Sequence, residues 1–351
     1  MRVTHVNLAR GFRGGERQTE LLIRALAEEP RIHQQLVCRE DSPMRKHLSD
    51  VPGLSLITAN HQLGGHRCLG PTDLVHAHEA KGVHWAWLHH RLTGTPYVIT
   101  RRVDTPVQDK ALNRLCYRQA ACRVAISRLI QTQLEARGWG SVERIPSAHA
   151  GLSADPEKTA SWRAAYPGKF LVGHAGALVD RHKGQRVLLK AARRLAREAP
   201  EVHFLFLGDG ADAQALRQES ADLTNVEWLG FKENIADYIA GLDAFAFPSR
   251  NEGLGSVLLD VMQLEVPIIA SRVGGIPDII EHETTGLLFP SGDTDALADG
   301  LLRIKAEPHL RRRLCRQARE RLEDYSPRAM AAAYMRLYQQ LVDHRYQETS
   351  R

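Results

Sequence analysis

Two successive series of short apolar strands, alternating with helix-period segments, constrain this chain more than any other feature. The first series runs through VTHVNLA (3–9), QQLVC (34–38), DLVHA (73–77), YVIT (97–100) and RVAIS (123–127). Between them lie stretches such as ERQTELLIRALAEE (16–29), in which Leu21, Leu22, Ala25 and Leu26 fall on one helical face. Strand–helix alternation implies parallel sheets with right-handed crossovers. The pattern lapses over residues 146–168, which contain three prolines, and a domain boundary is expected there. A second series follows: KFLVGHAG (169–176), VHFLFLG (202–208), VEWLG (226–230), DAFAFPS (243–249) and PIIAS (267–271). After Asp293 the chain reads as two or three helices. The expected fold is α/β, with two doubly wound, Rossmann-like domains, 1–150 and 151–325, facing across a cleft. Ligands of such sheets sit beyond the carboxyl ends of the strands, so the loops after strands are where chemistry is sought.

Length agrees, since 351 residues suit two domains at roughly 150 residues each. No uninterrupted apolar run reaches the roughly 18 residues of a membrane span. The opening MRVTHVNLARGF has no apolar signal run, so export is not expected. Five scattered cysteines without a CxxC pair read as reduced thiols of a cytoplasmic protein. Charge is unevenly spread: residues 1–150 carry +8, 151–300 carry −8, and 301–351 carry +6. Solvated faces account for this, and so does an anionic partner of the first region and the tail. Nucleic acid is not expected, because zinc-finger spacing is missing and only 6% of residues are aromatic.

The densest motif is FPSRNEGLGSVLLDVMQLEVPIIASRVGGIPDIIEHETTGLLFP (247–290). A strand ends at Pro248-Ser249, and a loop carries Glu252, Gly253 and Gly255. A helix starts near Ser256 and Val257, whose amides suit phosphate oxygens. Asp260, eight residues after Glu252, lies one turn into that helix. Two acids so placed suit a nucleotide sugar, and a capped strand–loop–helix with solvated acids fits the spacing equally well.

The segment resembles the signature of the retaining glycosyltransferases of family 4, which have the GT-B fold. The matching pieces are Glu252, Gly253, Gly255, Asp260, Pro267, Gly274, Gly275, Pro277 and Gly286. The resemblance implies that Glu252 contacts the donor sugar and that Asp260, one methylene shorter than the usual Glu, holds the ribose hydroxyls. Gly176-Ala177-Leu178 with Lys183-Gly184 resembles the family's phosphate motif. Lys183 then stabilises the leaving diphosphate. Ala177 stands where Arg is usual, and Arg181 is the candidate replacement. Without the resemblance Lys183 reads as a solvated lysine at a helix start. Gly208 belongs to a donor-side loop; its GDGADA run also fits a loose dinucleotide fingerprint, though not at a first strand. Gly14-Gly15-Glu16 resembles the loop that faces the donor phosphates from the first domain. Phe231 and Lys232, after VEWLG, are assigned to the nucleobase.

His76 and His78 close a strand on one face. A metal needs a third ligand, and none is evident in the sequence, so each reads as a satisfied loop histidine. In the family this strand end lies on the acceptor side, which assigns His78 to substrate. The next strand ends in TRRVD, where many members carry a histidine. Arg101 and Arg102 there suit a phosphate or carboxylate on the acceptor. Asp293-x-Asp295 has the form of a metal-binding pair but precedes a helical run, so it reads as a cap.

The resemblance therefore implies transfer of a sugar from a nucleotide diphosphate sugar, by family preference a UDP-sugar. The acceptor is an anionic glycan or glycolipid of lipopolysaccharide-core type, configuration is retained, and neither cofactor nor metal is needed. It places the last helix (326–351) back on the first domain, with Arg311, Arg312, Arg313, Arg316 and Arg319 joining the basic first region. That basic side suits an anionic inner-membrane surface, with a helix at about 107–119 offering Ala111, Leu112 and Leu115 beside Lys110, Arg114 and Arg118. Two rival readings use the same fold. One is a nucleotide-sugar epimerase, which needs no acceptor. The other is a binding protein without catalysis, to which Ala177 and the TRRVD segment point.

Overall fold

The computed structural model describes residues 1–349, with side chains to residue 344. It divides into two compact units. Unit one is residues 1–150 with the chain from Tyr325 onward, and unit two is Gly151–Asp324.

Unit one holds a seven-stranded parallel sheet of β1 (Arg2–Asn7), β2 (His33–Cys38), β3 (Ser55–Thr58), β4 (Leu74–Ala77), β5 (Tyr97–Arg101), β6 (Cys122–Ala125) and β7 (Val142–Arg144). Its order is β3-β2-β1-β4-β5-β6-β7. Helix Gly14–Leu26 begins two residues before its expected start, with Glu16 accepting the Arg13 amide at 3.0 Å. The final helix, Pro327–Thr349, lays Met330, Tyr334 and Tyr338 into the core with Val3, Leu22, Leu74 and Val98.

Unit two holds six parallel strands: β8 (Phe170–Ala175), β9 (Val202–Leu207), β10 (Val226–Gly230), β11 (Ala244–Phe247), β12 (Ile268–Ser271) and β13 (Leu287–Phe289). Their order is β10-β9-β8-β11-β12-β13. Its core joins Val172, Phe204 and Phe206 to Leu188 and Leu195 of helix Gln185–Glu198. In both sheets the order reverses beside the first strand, between β1 and β4 and between β8 and β11. That reversal opens a crevice at the strands' carboxyl ends.

The structure corrects the expectation for the tail arginines. Helix Pro308–Arg321 belongs to unit two, because Leu310 and Leu314 bury in that unit's core. Apolar residues four apart dock one helical face, and the arginines between them follow it. By unit, the charges are 25 basic and 15 acidic in unit one, against 22 and 26 in unit two.

Candidate active site

In unit two, the chain leaves β8 into the Gly176–Lys183 segment and leaves β11 into the loop carrying Glu252. The two segments meet. Lys183 Nζ donates to Glu252 Oε2 at 2.5 Å, with the side chains 24% and 17% exposed, and sits 5.2 Å over the Phe247 ring. Backbone bonds fix the meeting: the Arg250 and Asn251 amides both donate to the His182 carbonyl, at 2.7 and 3.2 Å. Two glycines permit it. Gly184 has φ +68° and a Cβ there would fall 2.1 Å from the Pro248 carbonyl oxygen. Gly274 has φ +56° and its Cβ would fall 1.9 Å from the Glu252 carbonyl oxygen. Any larger residue displaces one partner of the ion pair.

Beneath this pair lies His174, a residue the motif reading passed over. Its Nδ1–H donates to the Ala246 carbonyl at 3.1 Å, so Nε2 is left to accept from Gln185 Nε2 at 3.2 Å. Gln185 also donates to the Ala177 carbonyl at 3.0 Å, which ties the Gly176–Lys183 segment to the strands. Burial lowers the His174 pKa to about 4, so it is neutral at physiological pH. The signal was present in VGHAG, a histidine in an otherwise apolar strand.

The other residues assigned to the donor lie around this centre or away from it. The Gly208 loop braces the Gly176 segment, since the Leu178 amide donates to the Asp209 carbonyl and the Asp180 amide to Asp212 Oδ2. Arg181 and Ala177 are both exposed. Gly255 is buried against Glu252 Cγ. Ser256 is the N-cap of helix Val257–Gln263, where the Leu258 and Leu259 amides already bond Gly255 and Ser256. Asp260 lies half-buried one turn along. Phe231, at the end of β10, is 75% exposed, and Lys232 covers the Tyr238 ring at 5.1 Å. Asp293 caps helix Thr294–Ala306 by accepting the Ala296 amide at 2.9 Å.

In unit one, a polar cluster occupies the corresponding place. A third imidazole does lie beside His76 and His78, contrary to the sequence expectation. Parallel register sets His5 of β1 against His76 of β4. The three rings bring nitrogens within 4.8 Å of one another. Hydrogen bonds already engage them. Arg102 Nη1 donates to His78 Nδ1 at 3.3 Å, so the His78 Nε2–H donates to His5 Nδ1 at 3.0 Å, and the His5 Nε2–H to Gln34 Oε1 at 3.1 Å. His76 bonds the Tyr338 hydroxyl at 2.5 Å and Thr100 Oγ1 at 2.7 Å, and Thr100 meets the Tyr334 hydroxyl at 2.8 Å. Burial lowers all three histidine pKa values, His5 to about 4. The Arg102 charge opposes a cation in the same place. The cluster therefore reads as a hydrogen-bonded floor.

Arg102 Cδ lies 3.9 Å from the position a Gly15 Cβ would take, so Arg102 and the Gly14–Gly15 turn share one corner. Arg101 turns back onto its own loop at the Thr105 carbonyl. His78 is buried beneath Arg102.

Two doubly wound α/β units, each with a crevice at its switch point, define the fold class, and comparison with known proteins narrows it. Residues 169–307 match the family described as "Glycosyl transferases group 1". The lipopolysaccharide core biosynthesis glycosyltransferase LpsE of Rhizobium meliloti is 28% identical over 96% of this chain and 98% of its own. A D-inositol 3-phosphate glycosyltransferase of Saccharomonospora viridis is 26% identical over 77% of this chain and 70% of its own. Among solved structures, Anabaena HepE in complex with UDP and glucose superposes with a TM-score of 0.80 at 19% identity, covering 97% of this chain and all of that one. The fold is GT-B, and these matches support a group 1 glycosyltransferase, with which family 4 is consistent.

Proposed function

We propose that this glycosyltransferase moves a sugar from a nucleoside diphosphate sugar, with retained configuration and no metal, to a hydroxyl of an anionic envelope glycan or glycolipid. The observation that carries the reading is the Lys183–Glu252 pair at the carboxyl end of the unit-two sheet. Without an anion the ammonium rests on the carboxylate. A bound diphosphate competes for Lys183, which then stabilises the leaving charge, and frees Glu252 to accept a sugar hydroxyl. No side chain is assigned as general base; donor phosphate oxygen takes the acceptor proton. Uracil is the favoured base because HepE is described with UDP and glucose. A lipopolysaccharide-core acceptor is favoured by the full-length likeness to LpsE.

The acceptor side is assigned to unit one, with Arg102 meeting an acceptor anion. The same unit is proposed to dock reversibly on an anionic membrane surface. Helix Ala111–Gln119 leaves Leu112 and Leu115 45% and 40% exposed, beside Val103, Lys110, Arg114 and Arg118. Among the described residues no helix is long and apolar enough to cross a membrane.

The test is consumption of UDP-, GDP- and ADP-sugars with phosphorylated and dephosphorylated core oligosaccharides, with and without chelator, and NMR of the product anomer. Acceptor-dependent turnover, indifferent to chelator and giving the donor's anomeric configuration, is expected. Turnover of donor into an epimer without acceptor would overturn the reading, as would an inverted product or loss of activity to chelator.

A further inference from the structure

A cavity of about 630 Å³ opens at the opposite end of the unit-two sheet from Lys183 and Glu252. Asp243, which directly precedes β11, and Pro267, which directly precedes β12, both line it. Those positions place it at the amino ends of strands whose carboxyl ends carry the candidate active site. One wall is helix Pro308–Arg321, which presents Arg312, Arg316 and Arg319 at spacings of four and three.

The charges lining the cavity are poorly matched. Asp243 is bonded by Arg163 at 2.8 Å, and Glu265 is paired with Arg319. Arg311 spends Nη1 on the Ile304 and Lys305 carbonyls, at 3.0 and 2.9 Å, and covers the Phe170 ring at 5.8 Å. Arg312 meets only the His309 ring, at 3.0 Å, and Arg316 meets no carboxylate among the described residues. Three guanidinium groups therefore face one uncommitted carboxylate, Glu320. Elsewhere in this acid-rich unit Arg186, Arg193, Arg194 and Arg303 each hold one or more carboxylates. Like charges four apart on a helix repel. Leu242, Pro267 and Cys315 give the cavity an apolar floor. Burial raises the Cys315 thiol to about 11, so it stays protonated at neutral pH and adds no negative charge.

We propose that this cavity binds a phosphate group through Arg312 and Arg316, as a second anion site separate from the donor site. Guanidinium forks suit a tetrahedral dianion, and the apolar floor suits the body that carries it. The phosphate belongs either to a soluble phosphorylated compound or to a lipid headgroup.

Inorganic pyrophosphate titrated by calorimetry into the Lys183→Ala variant tests the site with the donor-site cation removed. Binding that persists there, weakens with salt, and falls about tenfold or more in Lys183→Ala with Arg312→Ala and Arg316→Ala is expected. An Arg312→Lys/Arg316→Lys version keeps the charge and loses the forks, so it should bind at an intermediate level; circular dichroism confirms that each variant is folded. Co-sedimentation with phosphatidylglycerol or phosphatidylcholine vesicles separates the sources. Anionic-vesicle binding that Arg312→Ala/Arg316→Ala weakens assigns a lipid phosphate. Vesicle binding that is absent or unmoved by those changes, with pyrophosphate binding lost, assigns a soluble one. The proposal is overturned if Lys183→Ala alone abolishes pyrophosphate binding, or if the arginine changes leave both bindings unaltered. Failure of the donor-site reading is seen separately, as no UDP binding by the unaltered protein.

Discussion

The two units share a strand order around their first strand, yet they use its crevice differently. At the β8–β11 switch point, a lysine and a glutamate reach solvent above a single buried histidine, and no other ring shares that histidine's hydrogen bonds. At the β1–β4 switch point, three neutral histidines are closed in and tied to two tyrosines of the final helix. Unit two has an excess of acid and unit one an excess of base. Identical topology thus delivers polar side chains to the same place, and the loops decide what they become. In unit two the loops leave a competition between a cation and an incoming anion. In unit one they leave a fixed polar floor with Arg102 above it.

The largest expected effect separates the units by chemistry. Lys183→Ala and Glu252→Gln should each lower transfer by about 10²–10³-fold, the usual loss for one preorganised electrostatic contact. The two should differ toward UDP alone. Lys183→Ala weakens it, whereas Glu252→Gln releases Lys183 from its ion pair and should hold or tighten it. Arg102→Ala should act on the acceptor, raising its KM and leaving UDP affinity alone. Steady-state kinetics with calorimetry reads all three, and normal turnover by Lys183→Ala would remove that residue from the mechanism, leaving Arg181 as the remaining candidate.

Acid should sharpen the contrast further. The native pKa of His5 lies near 4 against an ordinary 6.5, and His76 and His78 also lie well below that value. Between about pH 4 and 6.5 the unfolded chain therefore binds more protons than the native one. Stability is level above 6.5 and falls as pH drops through that window. His5 alone accounts for on the order of 3 kcal/mol, at about 1.4 kcal/mol per pH unit. Unit two has one such deeply buried histidine, His174. Hydrogen exchange from pH 7 to 4.5, corrected for intrinsic rates, should show unit one opening first. Simultaneous opening, or unit two first, would refute this ordering.

The basic face of helix Ala111–Gln119 in unit one offers a smaller effect, on vesicle binding. Lys110→Glu with Arg114→Glu should weaken co-sedimentation with anionic vesicles by roughly tenfold or more, at about 1 kcal/mol per basic group near the surface. Arg114 already pairs with Asp109, so its share is the smaller. Binding that is insensitive to salt and to these changes would leave the basic excess to the acceptor alone.

Much of this architecture is legible in sequence because it is periodic. Ten strands stand out as apolar runs, nine of them central and the tenth the edge strand β10. The three that do not, β3, β7 and β13, have three or four residues and lie at sheet edges. Edge strands need less apolar sequence, and β7 reads VER. In the candidate site, Lys183 and Glu252 are legible through loop motifs, but their contact is not, because 69 residues separate them. The His5–His76 pairing is hidden for a different reason: strand register is set by the sheet, and histidines 71 residues apart carry no mutual signal. Helix Pro308–Arg321 shows that a charge count by segment misleads when burial of two leucines decides which unit the segment joins.

The smallest predicted effect asks whether the unit-one floor is a structural device. Tyr338→Phe removes the hydroxyl bonded to His76 Nδ1 and changes little in shape. It leaves a buried ring nitrogen without that partner, which costs about 1–3 kcal/mol. For a unit of this size, each kcal/mol moves Tm by roughly 2–4 °C. Because the final helix carries both Tyr338 and Tyr334, the loss should appear as faster exchange in that helix and at the ends of β4 and β5, with unit two unchanged. Tyr166→Phe in unit two is the matched control. Its hydroxyl meets Glu227 at 2.7 Å in a half-exposed setting, where water can replace the lost bond, so its effect should be less than half as large. Equal losses from the two changes would mean that the histidine floor adds nothing beyond an ordinary tyrosine hydrogen bond. A fall in transfer by Tyr338→Phe at a temperature where unit one is still folded would instead tie the floor to the placement of Arg102.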